Sequence, residues 1–295
     1  MGSSRIAGPD FIGIGMPKAG TGWLFDQLKF HPDFWMPPVK EFNYLLRERL
    51  TLKSVEKRLQ KINLPNGEKK FLKLSNRRTG DARDLMFLRE AGDQIGQKMD
   101  LERYVSLFRH KEGALSGDIS VAYGALNPRT LALLANRLPD TKILLQVRDP
   151  IDRAWSHISM WNRAGKFDKA LLEDVRAFRN FLQTTDRFGK TAFPTRIVEA
   201  WEKAAPGMPF RSFLFDDIRN EPEMARREIL LYLGADPDKS SGELVAGYNK
   251  KANSDKLELS EGIRSVLIEY FREELHACAR LFGGHAQDWV QRYGV

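Results

Sequence analysis

Three short runs of apolar residues punctuate the chain, at Phe11–Gly15, Lys142–Val147 and Phe210–Phe215. Their hydrophobicity is continuous rather than alternating, the pattern of strands covered on both faces. Between them the apolar positions recur at helical spacing. Thr21–Phe30 stops at His31-Pro32, Asn127–Leu138 stops at Pro139, and Pro194–Ala204 stops ahead of Pro206. Proline disfavours helical geometry in the residue before it, so each stop has a cause. Strands alternating with helices predict an α/β fold, a central parallel sheet flanked by helices on both faces. No internal repeat and no low-complexity linker interrupts the pattern. The expectation is one domain over residues 1–295, with 1–10 disordered or tag-derived.

Two stretches depart from this rhythm. Arg47–Lys73 is dense in charge, and Arg47, Arg49, Lys53, Lys57, Arg58, Lys61, Lys69, Lys70 and Lys73 make it basic. It reads either as a solvated helical face or as a lid over a substrate. Leu259–Phe282 reads as an amphipathic helix packed on the body, with nothing in it that suggests chemistry.

Charge narrows the choice of ligand. Forty-seven Lys plus Arg against 39 Asp plus Glu leave +8 over 295 residues. That balance favours an anionic partner without choosing among nucleotide, nucleic acid and membrane surface. The single cysteine, Cys278, excludes an intrachain disulfide and a multi-cysteine zinc site, and its apolar surroundings predict a buried, inert thiol. No apolar run is long enough to span a membrane, and the first residues lack the apolar core of a signal peptide. The expected compartment is the cytoplasm.

Candidate chemistry begins at residues 11–28, FIGIGMPKAGTGWLFDQL. A buried strand runs into a turn holding Gly15, Pro17, Lys18, Gly20 and Gly22, then into an amphipathic helix. Small residues let backbone N–H groups approach a ligand, and the helix N-terminus adds positive dipole. Lys18 adds a full charge, so the loop is suited to phosphate or sulfate. A nucleotide P-loop carries its lysine after the second glycine and a hydroxyl next to it. Here Thr21 follows Gly20, the lysine comes earlier, and Ala19 follows Lys18. A second candidate is residues 142–160, KILLQVRDPIDRAWSHISM. Arg148 stands at the end of an apolar strand, Pro150 opens a helix, and Ser156 follows eight residues after the arginine. A fixed cation and a hydroxyl so placed can converge on one phosphate; alternatively, Arg148 pairs with Asp149 or Asp152 alone.

Together the two stretches resemble the sulfotransferase family that uses 3′-phosphoadenosine 5′-phosphosulfate (PAPS). PKAGTGWL is similar to that family's 5′-phosphosulfate loop, commonly PKSGTTWL, and RDPIDRAWSH to its 3′-phosphate motif. Weaker matches at HPDFWMPPVKEFNYL, GDISVAYGAL, FLFDDI and LYLGAD spread the resemblance over most of the chain. It implies the P-loop-like sulfotransferase fold, and a bacterial carbohydrate-type or heparan-type branch. It implies that Lys18 neutralises the leaving phosphate, that Ala19, Gly20, Thr21, Gly22 and Trp23 wrap the 5′-phosphate, and that Arg148 and Ser156 hold the 3′-phosphate. Lys250 and Lys251, in GYNKKANSD, are the family-implied basic loop at the same phosphate. PAPS is then the co-substrate and 3′-phosphoadenosine 5′-phosphate (PAP) the product, with no metal.

In the carbohydrate-type branch the base is a glutamate in a stretch similar to KExHFF, here Lys40-Glu41-Phe42-Asn43-Tyr44, which makes Glu41 the general base. Asn43 stands where that branch often has histidine; it can orient an acceptor but cannot take a proton. Ile119 replaces a lysine common in the heparan type, against a heparan-like acceptor, and Tyr123 is expected either to line the acceptor pocket or to belong to an ordinary strand-turn packing element. His110 and His157, the remaining base candidates, read as packing. The acceptor, a hydroxyl-bearing small molecule or glycan, is expected between Phe42–Ser120 and Asn162–Thr195, with Phe167, Phe178 and Phe188 either lining it or packing the core. The competing readings are a P-loop kinase or nucleotide hydrolase, which needs magnesium, and a basic nucleic-acid or glycan-binding protein. RNA-binding aromatic signatures and zinc-finger spacing are missing, so nucleic acid is not an expected partner.

Overall fold

The computed structural model describes residues 8–74, 81–185, 191–239, 242, 244–247 and 257–295. Four parallel strands form its sheet: β1 (Phe11–Gly15), β2 (Gly117–Ile119), β3 (Lys142–Val147) and β4 (Phe210–Leu214), in the order β2-β1-β3-β4. β1 is central, with Phe11 opposite Gly117 on one side and Lys142 on the other. β1 and β3 are the buried apolar runs that the pattern predicted. β4 ends one residue earlier than expected, because Phe215 already opens a helix.

The faces of the sheet separate two clusters. Ile12, Ile14, Ile143, Leu145 and Val147 pack to one side. They meet α6 (Pro128–Arg137), α7 (Pro150–Arg163), α9 (Pro194–Ala204) and α12 (Glu261–Phe282) through residues such as Leu134, Ile158, Trp201 and Leu267. Phe11, Ile119, Leu144 and Phe213 pack to the other, against α1 (Thr21–Lys29) and α11 (Pro222–Leu233) through Leu24, Leu28, Ile229 and Leu233. Strands covered on both sides must be apolar throughout, which accounts for the runs FIGIG and KILLQV.

Local signals set the helix ends. Asn127 accepts a hydrogen bond from the Thr130 N–H and Pro128 occupies the first position of α6. Asp149 and Pro150 repeat the device on α7. Helix α9 lacks a cap of its own; Glu274 of α12 accepts from the Thr195 N–H and hydroxyl instead. The charged stretch forms α2 (Lys53–Ile62) and α3 (Gly67–Leu74), with Lys53, Lys57, Arg58, Lys61, Lys69 and Lys70 exposed, as a solvated face requires. The tail helix begins at Glu261 behind the Ser260 cap, and α13 (His285–Tyr293) follows it. Helices α2 to α5, with α4 at Ala82–Asp93 and α5 at Leu101–Leu107, fill the β1–β2 connection; α8 (Val175–Thr184) follows α7, and the short α10 (Phe215–Asn220) follows β4. No helix among the described residues is long and apolar enough to cross a membrane.

Candidate active site

The carboxyl ends of parallel strands are where ligands of open α/β sheets bind. Each of the four strands delivers a candidate there. β1 ends in the loop that carries Lys18. It enters α1 through Gly20, whose φ of 91° is left-handed. No side chain caps α1, so its first-turn N–H groups have no side-chain acceptor there. A Cβ on Gly20 would sit 3.1 Å from the Phe215 ring, so both the turn and the packing demand glycine. Gly22 is different: it is exposed, and a Cβ there would meet nothing within 4 Å. Ala19 is fully buried, Thr21 is buried, and Lys18 is half-buried with φ of 72°.

β3 ends at Arg148. Its Nη1 donates to the Lys18 carbonyl at 3.0 Å, joining the two predicted motifs across 130 residues. The guanidinium lies 4.8 Å over the Phe215 ring, at the end of β4, and 3.8 Å from Asp152. Its Nε is buried without a hydrogen-bond partner among the described residues. Burial pushes its pKa below the ordinary arginine value, opposed by Asp152 and Asp149. Ser156 is half-buried on α7, one turn after Asp152 and on the same helix face. Of the alternatives, Asp152 does approach Arg148, whereas Asp149 faces elsewhere: it caps α7 through the Ile151 and Asp152 N–H groups.

Glu41 reaches the end of β2. Its N–H donates to the Ile119 carbonyl at 3.0 Å, and its Oε2 accepts from the Val121 N–H at 3.0 Å. Ser120 in turn donates its N–H to Gly13 of β1, which sets this turn beside the Lys18 strand. Lys40 pairs with Glu41 Oε1 at 2.7 Å. A carboxylate offers about four acceptor positions, so two contacts leave room for a hydroxyl. Glu41 and Asn43 both have φ of 58°. Left-handed non-glycine residues cost of order 1–3 kcal/mol and gather at functional sites, and Lys18 shares the feature.

A buried carboxylate supports that loop. Asp118 of β2 accepts from the Ser120 hydroxyl at 2.7 Å, from Tyr123 at 2.7 Å and from Tyr104 at 3.3 Å. With their protons committed to Asp118, Ser120 Oγ accepts the Asn43 N–H at 3.0 Å and the Tyr123 oxygen accepts the Leu45 N–H at 3.3 Å. Burial raises the Asp118 pKa to about 6 against these hydrogen bonds. The hub corrects one expectation: Tyr123 is fully buried and cannot line an acceptor pocket. Phe178 is likewise core, and Phe167 packs half-buried against Phe181. Ile119 turns its side chain into the core beside Gly13, a position that has no room for a solvated lysine.

Trp23 Nε1 donates to the Ala246 carbonyl at 2.6 Å and Gln27 Nε2 to that of Val245 at 3.0 Å. The chain just ahead of the proposed basic loop is therefore tied to α1. Lys250, Lys251 and Phe188 lie outside the described residues. His157 packs on Trp161 at 4.5 Å and His110 sits 3.1 Å from Glu90. Cys278 is buried, with its pKa pushed up by burial and by Glu274. Among the described residues no group of His, Cys, Asp or Glu is disposed to hold a metal ion. Phe215 was missed as a site residue; its signal was its place as the last residue of FLF, at the end of a strand.

Comparisons with known proteins bear on the family and the fold. The family model described as Sulfotransferase family matches residues 9–239. A sulfotransferase from Alicyclobacillus acidocaldarius has a similar structure, at 21% identity and a TM-score of 0.63, over 96% of this chain and 99% of that one. The sulfotransferase domain of the Synechococcus PCC 7002 olefin synthase aligns over 91% of this chain and 96% of its own, at 16% identity and a TM-score of 0.47. Sulfotransferase STF9 from Mycobacterium avium aligns over 93% and 77%, at 13% identity and 0.48. Among curated proteins none matches the sequence significantly.

Proposed function

Since the chain belongs to the sulfotransferase family, we propose that it moves the sulfuryl group from PAPS to a hydroxyl of a small-molecule or glycan acceptor. Residues 1–295 act as one catalytic domain in this reading. The observation that carries it is the Arg148-to-Lys18 hydrogen bond, which supports one shared anion cradle at the ends of β1 and β3. Lys18 and the first-turn N–H groups of α1 receive the 5′-phosphate and balance the charge left on it by sulfuryl transfer. Arg148 and Ser156 receive the 3′-phosphate; the buried, unpartnered Nε of Arg148 fits an added anion. Lys250 and Lys251 add charge to the same phosphate.

Glu41, at the end of the neighbouring strand, takes the acceptor's proton as its oxygen attacks sulfur and the bond to the bridging oxygen breaks. The Val121 N–H fixes one carboxylate oxygen. Lys40 is held by a partly exposed ion pair, which is weak enough to swing aside for an acceptor.

Calorimetry of PAP, ADP and AMP without magnesium tests this reading. Metal-independent binding that depends on the 3′-phosphate supports it and turns the problem into a screen of acceptors. Preference for ADP or ATP only with magnesium overturns it in favour of phosphoryl transfer.

A further inference from the structure

The last helix of the chain, outside the residues 9–239 that match the family model, reaches the 3′-phosphate end of this site. Arg292 Nη1 lies 3.1 Å from Asp149 Oδ2, and the Tyr293 hydroxyl donates to the same oxygen at 2.7 Å. Asp149 is the residue after Arg148, and its side chain is only 1% exposed. The same helix donates Trp289 Nε1 to Asp216 Oδ2 at 3.2 Å. Asp216 follows Phe215, the ring beneath Arg148. One helix therefore holds the neighbours of both members of the Arg148–Phe215 pair.

Charge gives the contact a second role. Asp152 lies 3.8 Å from Arg148 and 3.9 Å from Arg292. An anionic ligand must compete with Asp152 for Arg148. Arg292 supplies a second cation to Asp152, so that carboxylate leans less on Arg148, and it also pairs with Asp149 and approaches Asp216 at 3.9 Å. We propose that Arg292 and Tyr293 are positioning residues for 3′-phosphate recognition, holding Arg148 in place and keeping its charge available to the nucleotide. This rests on the reading of Arg148 as the 3′-phosphate ligand.

The test is calorimetry of PAP and ADP on the full chain and on Arg292→Gln, Arg292→Lys and Tyr293→Phe. Loss of a charge-assisted contact of this kind is expected to weaken PAP about tenfold in Arg292→Gln, with ADP moved less than about twofold. Arg292→Lys keeps the cation and restores most of the PAP preference; Tyr293→Phe, which removes only a hydroxyl, falls between. Equal losses for PAP and ADP, or an unchanged ratio in a cooperatively melting variant, overturn the inference and leave α13 a packing element. Should Arg292→Gln fail to fold, an unchanged ratio in Tyr293→Phe has the same force. A wild-type protein without preference for PAP removes the donor reading and this inference with it, whereas intact preference with unaltered variant ratios overturns the inference alone.

Discussion

The Glu41 carboxylate accepts the Val121 N–H at 3.0 Å through one oxygen and pairs with Lys40 at 2.7 Å through the other, so the backbone at the end of β2 holds half of the proposed base. Its own N–H returns a bond to Ile119, two residues before Val121. Glu41→Gln preserves the shape and removes the proton acceptor. Turnover with any acceptor that supports it should fall by roughly 10²–10⁴, with PAP affinity unchanged. Undiminished turnover in this variant rules out Glu41 as the base.

Arg148→Ala should weaken PAP far more than ADP, because it deletes a cation aimed at a phosphate that only PAP carries. The discrimination ratio from paired titrations is the quantity to follow; a parallel loss of both ligands would assign Arg148 to holding the Lys18 loop instead.

Gly20 and Gly22 separate two uses of glycine. Alanine at Gly20 must adopt φ near 91° and press on Phe215, so a stability loss of about 1–3 kcal/mol and weaker PAP binding are expected. Alanine at Gly22 meets open space inside α1 and should stabilise the free protein by roughly 0.5–1 kcal/mol. Thermal melts with and without PAP read both; destabilisation at Gly22 would show that its neighbourhood is closed.

Asp118→Asn tests the hub under the base loop. An amide donates where the carboxylate only accepted, so the hydroxyl that faces its NH2, that of Ser120 on one side or those of Tyr123 and Tyr104 on the other, can no longer donate to it. The cost of one broken buried hydrogen bond is about 1–3 kcal/mol. Turnover should fall about tenfold or more with PAP affinity unaltered. Equal turnover per folded molecule would make the hub purely structural.

The same carboxylate gives a pH signature. Burial raises Asp118 and Asp149 to about 6, above their unfolded value near 3.8. Between roughly pH 4 and 6 the folded state then binds more protons than the unfolded one, so these two groups add stability as pH falls through that window and withdraw it as pH rises. Asp33, held low by the Asp236 N–H and Lys239, acts oppositely and only below its ordinary value. Melting temperature against pH should be less steep in Asp118→Asn between pH 4 and 6; an identical slope would mean that Asp118 titrates normally.

What the sequence revealed and what it concealed follow one physical division. FIGIG and KILLQV are buried on both faces, so their composition declares them, and the glycines and Lys18 between β1 and α1 mark an anion loop by local chemistry. The two candidate motifs likewise carry their own signals, and their meeting at Lys18 and Arg148 follows from the parallel sheet. β2 is three residues long, too short for any periodicity. Tyr123 looked like a pocket residue because nothing local announces that its hydroxyl is committed to Asp118. Nothing local ties Tyr293 to Asp149, since the contact spans 144 residues and is made only when α13 docks.

The hydrogen bond between Arg148 and the Lys18 carbonyl also orders events during synthesis. β1 is the central strand, yet one of its partners starts at residue 117 and the other at residue 142. Until those segments emerge, an apolar strand and its glycine loop must wait without pairing, and such unpaired edges invite association with other chains. A nascent chain that ends before residue 148 lacks Arg148, so on the proposed reading a nucleotide can begin to favour the folded state only after that residue has emerged.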